Sequence, residues 1–126
     1  RSAQFRLPQN RYCIENRAAD MTMNVYLAFS MTLSAAVEGI KNKIHPGKPT
    51  DQDLYDMTDS EFKKLGIKRL PRNLLMAIEA LKKDELSEEV IGSVMKKSLL
   101  AYKNDEWERY HQAVTDWEVK EYLRLY

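Results

Sequence analysis

This chain of 126 residues has one cysteine, two histidines, four glycines and four prolines, and each scarcity removes a class of chemistry. A single cysteine cannot close an internal disulfide, which fits a reducing compartment, and Cys13 reads as an inert strand residue rather than a nucleophile. His45 and His111 lie far apart in the chain, with no other His or Cys at ligand spacing, so no zinc site is indicated. The position of His45 ahead of Pro46 and Gly47 suits a turn or an interface. The glycines stand singly at positions 39, 47, 66 and 92, which excludes a glycine-rich phosphate loop in this stretch. Nor does one sign of charge prevail. With 20 basic and 19 acidic side chains, bulk electrostatics gives no reason to expect nucleic acid or an anionic membrane as a partner. The longest apolar run, Val25 to Val37, is broken by Ser30, Thr32 and Ser34 and is too short to span a bilayer. No secretory signal pattern is present, and the cytoplasm is the expected setting.

Hydrophobic periodicity supplies the organisation. "RSAQFRLP" alternates as a strand from its first residue, with Ala3, Phe5 and Leu7 on one side and Ser2, Gln4 and Arg6 on the other. A chain that opens mid-pattern at Arg1 predicts further sequence upstream. A second strand is expected over Tyr12 to Arg17, and Pro8 and Asn10 of the intervening "PQNR" supply turn chemistry for a hairpin. Two strands alone are marginal in water, so this hairpin should belong to a larger sheet.

From Met23 the period changes. Val25, Phe29, Leu33, Ala36, Val37 and Ile40 recur at three and four, which predicts a buried helix capped by Asn24 and ending near Asn42. The prolines and glycine of "IHPGKPTDQDLYDM" predict an ordered loop. "DSEFKKLGI" predicts a short helix closed by Gly66. "PRNLLMAIEALKKDE" places Leu74, Leu75, Ile78 and Leu81 on one helical face, with Lys82 and Lys83 in the last turn, where cations suit the dipole. Ser87 can cap the next element, a long amphipathic helix marked by Val94, Leu99, Tyr102, Trp107 and Tyr110. "TDWE" has the spacing of a capping box, so the chain should break there and restart as a last helix. The expected fold class is mainly α with an N-terminal β-hairpin: residues 1–20 form the hairpin and residues 21–126 the helical part.

The chemistry-bearing stretch is "CIENRAAD". On an extended strand, Glu15 and Arg17 point to the same side, and Arg1 and Arg6 lie on or beside the same hairpin. Guanidinium grips carboxylate or phosphate in a planar, two-point fashion. Glu15 can neutralise those arginines or bind a hard divalent cation. On spacing alone, the surface salt bridge is the leading reading. Trp107, Trp117 and the neighbouring tyrosines fall at helical spacing and suit packing, as do the six methionines.

The motifs "RSAQFRLP", "IENRAAD", "NVYLAFSMTLSAAVEGIKNKIHPGKP" and "DLYDM", in this order, resemble the C-terminal part of the catalytic domain of the glutamine synthetase family. The resemblance is specific over residues 1 to about 57. The tail "EWERYHQAVTDWEVKEYL" is similar to the branch that includes type III-like enzymes and γ-glutamyl-amide ligases. The resemblance implies a fragment of an α+β catalytic domain, inactive alone, from an ATP-dependent glutamate–ammonia ligase working with Mg²⁺ or Mn²⁺ as a homo-oligomer. It implies that Glu15 binds the metal and that Arg17 contacts the glutamate substrate and the transferring phosphoryl group. It also implies that Arg1 serves the substrate or acyl phosphate and Arg6 the nucleotide phosphates.

Four features depart from the family pattern, one being a connection between Arg6 and Glu15 shorter than in the common bacterial pattern. Cys13 stands where another arginine is usual, Val25 replaces a first-turn proline, and residues 43–60 carry no adenylylation-site pattern, although Tyr55 lies close to one. Two other readings remain open on the sequence: a γ-glutamyl-amine ligase of the same family, and a stand-alone helical interaction module with exposed Trp and Tyr.

Overall fold

The computed structural model describes residues 2 to 125, which form a small antiparallel hairpin and five helices in two compact units, the chain passing from the first to the second after Leu70. In the first unit, β1 (Phe5–Arg6) pairs with β2 (Glu15–Asn16) in the register Phe5 to Asn16 and Arg6 to Glu15. The strands are shorter than the alternating pattern predicts. The backbone beyond them still follows the ladder for one step, with the Arg17 amide donating to the Gln4 carbonyl at 2.8 Å. Cys13 lies outside both strands and is exposed, so it is a turn-side residue rather than the expected strand residue.

Helix α1 (Val25–Lys41) has the predicted boundaries, with the Asn24 side chain accepting from the Leu27 amide and Asn42 at the C-cap. Its expected burial is not supplied by contacts within this stretch. Phe29 is 69% exposed, and Leu33 and Ile40 are exposed with it; the less accessible positions are Leu27, Ala28, Met31 and Ser34. The apolar face predicted from periodicity is thus the face turned to solvent among these residues.

The loop after α1 carries no regular element before Thr58, as its prolines require, and the Leu54 amide donates to the Ser2 hydroxyl at 3.3 Å. Within it, the Gly47 amide donates to His45 Nδ1 at 3.0 Å, which gives His45 the turn role its neighbours suggest. Helix α2 (Asp59–Lys64) begins at Thr58, whose amide and hydroxyl both donate to Glu61 Oε2 at 2.7 Å. It ends at Gly66, whose φ of +67° is a backbone conformation only glycine adopts without strain. Arg69 folds back along the helix to its start, with its guanidinium 4.0 Å from the Phe62 ring centroid and 3.2 Å from Asp59.

The second unit holds α3 (Leu74–Lys83), α4 (Glu85–Gln112) and α5 (Asp116–Tyr122). Helix α3 packs on α4. Ile78, 3% exposed, is the buried apolar side chain of this unit. Asp84, rather than Ser87, caps α4: its carboxylate accepts from the Ser87 amide at 2.7 Å. Ser87 is wholly buried, and its hydroxyl donates to the Asp84 carbonyl at 2.7 Å. Lys96 reaches back to the same carbonyl at 2.6 Å. Gly92, at φ +78° and ψ 154°, interrupts the helical backbone inside α4, so the long helix is two helices across a kink. The Val94, Tyr102 and Tyr110 face is exposed. The capping box at Thr115 and Glu118 starts α5 as its spacing predicts. No helix among the described residues is long and apolar enough to cross a membrane.

Candidate functional site

The site grows from the hairpin register. Pairing Arg6 with Glu15 puts an arginine directly across from the carboxylate, where cross-strand neighbours stand close enough for their side chains to meet. Arg6 Nη1 lies 3.3 Å from both carboxylate oxygens. Two residues beyond Glu15, Arg17 emerges on the same side, and its Nη2 is 3.6 Å from Glu15 Oε2. The alternation that joined Glu15 and Arg17 on the sequence therefore holds, although Arg17 itself lies outside the short strand. Arg1 lies outside the described residues.

A further arginine completes the cluster. Arg11, in the connection between the strands, places Nη2 at 2.5 Å from Glu15 Oε1, the shortest ion pair of the group. Periodicity gave no sign of it, because a turn residue belongs to no strand face. The available signal was the shortness of the connection, which brings residue 11 back over residue 15.

Three guanidiniums thus share one carboxylate, and the immediate surroundings keep a surplus of two positive charges. The hydrogen bond from Arg11, and after it that from Arg6, holds the Glu15 carboxyl below the usual glutamate range. The same contact raises Arg11. Glu15 is 24% exposed, so the carboxylate is reachable from solvent yet bounded by its partners. An open cleft beside it is lined by Arg6, Leu7, Gln9 and Asn10. Such a positive, donor-rich surface is suited to phosphate or carboxylate groups, which accept several charge-assisted hydrogen bonds at once.

The donor set also bears on a divalent cation. Among the described residues, no group of three or more His, Cys, Asp or Glu side chains could hold a metal. Mg²⁺, however, is commonly bound through one or two carboxylates, with phosphate oxygens and water filling the rest of its shell. Glu15 fits one position of such a shell, and the arginines around it fit the phosphates.

The other residues considered from the sequence do not join this cluster. His111 stacks on Trp107 with ring centroids 5.7 Å apart, and Trp117 meets Tyr122 edge-on at 5.9 Å. Both are contacts within the helical unit.

Comparison with known proteins identifies the family of the whole stretch. Residues 1–122 match the family model described as the glutamine synthetase catalytic domain. The chain is 39% identical over 126 residues to a glutamine synthetase of Methanocaldococcus jannaschii, covering 98% of this chain and 28% of that protein. It is 37% identical over 126 residues to a glutamate–methylamine ligase of Methyloversatilis universalis, covering all of this chain and 28% of that protein. The solved structure of apo GmaS without ligand superposes with a TM-score of 0.72 at 32% identity, over 87% of this chain and 25% of that one. The chain therefore spans little more than a quarter of the length of the curated relatives it matches.

Proposed function

The chain belongs to the glutamine synthetase catalytic-domain family, and from that premise we propose that Arg6, Glu15 and Arg17 are its share of a phosphoryl-transfer site in an ATP-dependent glutamate–amine ligase. The stretch reads as the C-terminal part of an α+β catalytic domain, and turnover is assigned to the complete protein rather than to this stretch alone. The observation that carries the reading is the convergence of guanidiniums on one reachable carboxylate, within the motifs that resemble the family's active-site hairpin.

In the proposed reaction the γ-phosphoryl group of ATP passes to the side-chain carboxylate of glutamate, giving ADP and an acyl phosphate. The amine nitrogen then attacks the acyl carbon, phosphate leaves with the C–O bond pair, and a proton is lost from nitrogen. Phosphoryl transfer depends on positioning and on stabilising the charge of the equatorial oxygens. Arg6 is assigned to the nucleotide phosphates, and Arg17, which approaches the carboxylate at Oε2, to glutamate and the transferring group. Arg1 is assigned to the substrate side from its motif alone. Glu15 would hold Mg²⁺ or Mn²⁺, which when bound neutralises phosphate charge. Meanwhile, Glu15 keeps the arginines from repelling one another apart.

Ammonium is the acceptor proposed first, since the relatives at 39% and 38% identity are named glutamine synthetases. A second reading, methylamine, is favoured by the similarity to a glutamate–methylamine ligase over the whole chain. A stand-alone interaction module is disfavoured by the near absence of buried apolar side chains. The test is ADP release by the complete protein with glutamate, ATP and Mg²⁺, comparing ammonium, methylamine and polyamines. Preference for ammonium supports the first reading and preference for methylamine the second. No turnover with any acceptor would sink both and return the hairpin to a surface ion cluster.

A further inference from the structure

The open end of the hairpin is held from a distance. The pairing of β1 with β2 runs out at the bond from the Arg17 amide to the Gln4 carbonyl, and the chain bends at Gln4, so strand pairing does not reach Ser2. The loop after α1 fixes Ser2 instead: the Ser2 hydroxyl accepts the Leu54 amide at 3.3 Å, a bond between two half-buried residues 52 positions apart. That loop is itself stiff where it makes the bond. Asp53 Oδ1 accepts the Tyr55 amide at 3.0 Å, which closes an Asx turn around Leu54, and the Met57 carbonyl accepts from Arg69 Nη2 at 3.2 Å. Arg69 in turn rests on Phe62 and Asp59 of α2. A chain of contacts therefore runs from α2 through the loop to the segment that leads into β1.

The anchor matters because little else holds the hairpin. Two strands of two residues each are marginal in water, and three guanidiniums gathered on one carboxylate repel one another. The arginines are not equally secured against that repulsion. Arg6 lies within the paired strands, directly opposite Glu15. Arg17 lies just beyond β2, and its amide depends on the Gln4 carbonyl, two residues from Ser2. We propose that Ser2 is a positioning residue of this site: by accepting the Leu54 amide, its hydroxyl fastens the open end of the hairpin to the loop and keeps Arg17 in place for glutamate and the transferring phosphoryl group. The inference rests on the phosphoryl-transfer reading above. Ser2 acts through the Gln4 and Arg17 backbone and touches no reactant. A hydroxyl suits the task, since its lone pairs can accept the amide whichever way its own proton turns.

The test uses the complete protein and its Ser2→Ala and Ser2→Thr variants. Hydrogen exchange of the Leu54 amide reads the bond itself, and steady-state ADP release gives the KM for glutamate and the KM for ATP separately. Ser2→Ala should speed exchange at Leu54 by roughly tenfold, the equivalent of one hydrogen bond. It should raise the KM for glutamate by a similar factor while leaving the KM for ATP as it was, because Arg6 stays within the paired strands. Ser2→Thr, which restores a hydroxyl, should return both exchange and the glutamate KM toward their original values. Unchanged exchange in Ser2→Ala would overturn the proposal, as would faster exchange with both KM values unaltered, which would leave the bond a purely structural one. Equal rises in both KM values with a lower unfolding temperature would also overturn it, by showing a general loosening of the fold. Absence of ADP release by the unaltered protein would sink the phosphoryl-transfer reading and this inference with it, whereas undiminished glutamate use by Ser2→Ala alone would sink only this inference.

Discussion

Lys96 offers a quantitative test of how the helical unit is held together. Its ammonium is 7% exposed and donates to the Asp84 carbonyl at 2.6 Å, twelve residues back, across the break at Gly92. The Ser87 hydroxyl donates to the same oxygen at 2.7 Å. Glu88, the nearby acid, stands 3.7 Å from the ammonium and is largely exposed, so it adds little beyond charge balance. Lys96→Met keeps the aliphatic stem and removes one charged donor, worth about 1.5 kcal/mol, the low end for such bonds because Ser87 still serves the carbonyl. Ser87→Ala removes the other donor at a cost of about 1 kcal/mol. The double variant leaves the oxygen without either side chain, and its cost should exceed the sum of the singles by about 1 kcal/mol. Hydrogen exchange of the first-turn amides of α4 in the complete protein reads these differences, at tenfold in rate for each 1.4 kcal/mol or so. Strict additivity would refute the idea that the two donors converge on one acceptor.

Two further predictions concern the backbone and pH. Gly92→Ala should destabilise by about 1–3 kcal/mol, because its φ of +78° and ψ of 154° form a glycine-only conformation. Nothing lies within 4 Å of the added Cβ, so the whole cost is backbone strain; thermal unfolding checks it, and stabilisation would contradict the kink. The Glu118 carboxyl is held below the ordinary glutamate range by the Thr115 amide and then by its hydroxyl. Its contribution to α5 is therefore fully present above the ordinary carboxyl pKa and is lost as pH falls through the lowered value. Amide exchange in α5 should rise on acidification through that window, and Thr115→Ala should shrink the rise.

How far the sequence revealed this molecule differs from element to element. Local signals were legible: Asn24, Gly66 and the Thr115–Glu118 box mark helix ends because capping uses side chains a few residues away. The facing of Glu15 and Arg17 was legible for the same reason, being fixed by strand alternation. Non-local facts were not. Periodicity identified an apolar face on α1 but not what covers it, and Phe29 and Leu33 stand exposed. Ser87 looked like a cap by its type, yet Asp84 preceded it and took the role, with Ser87 turned inward onto the Asp84 carbonyl. Arg11 entered the cluster through turn geometry, which no periodic pattern encodes.

The central claim is that the hairpin is part of a phosphoryl-transfer site, and Glu15 tests it most directly. The measurement is glutamate-dependent ADP release by the complete protein carrying Glu15→Gln, which keeps the size of the side chain while removing its charge and one of its two acceptor oxygens, with oligomeric state and unfolding temperature followed in parallel. The account predicts loss of turnover by about a hundredfold or more, the scale seen when charge stabilisation is removed from a transition state, with assembly and stability preserved because the cluster is exposed. Undiminished turnover in that variant would contradict the assignment and leave Glu15 as a neutralising partner of surface arginines.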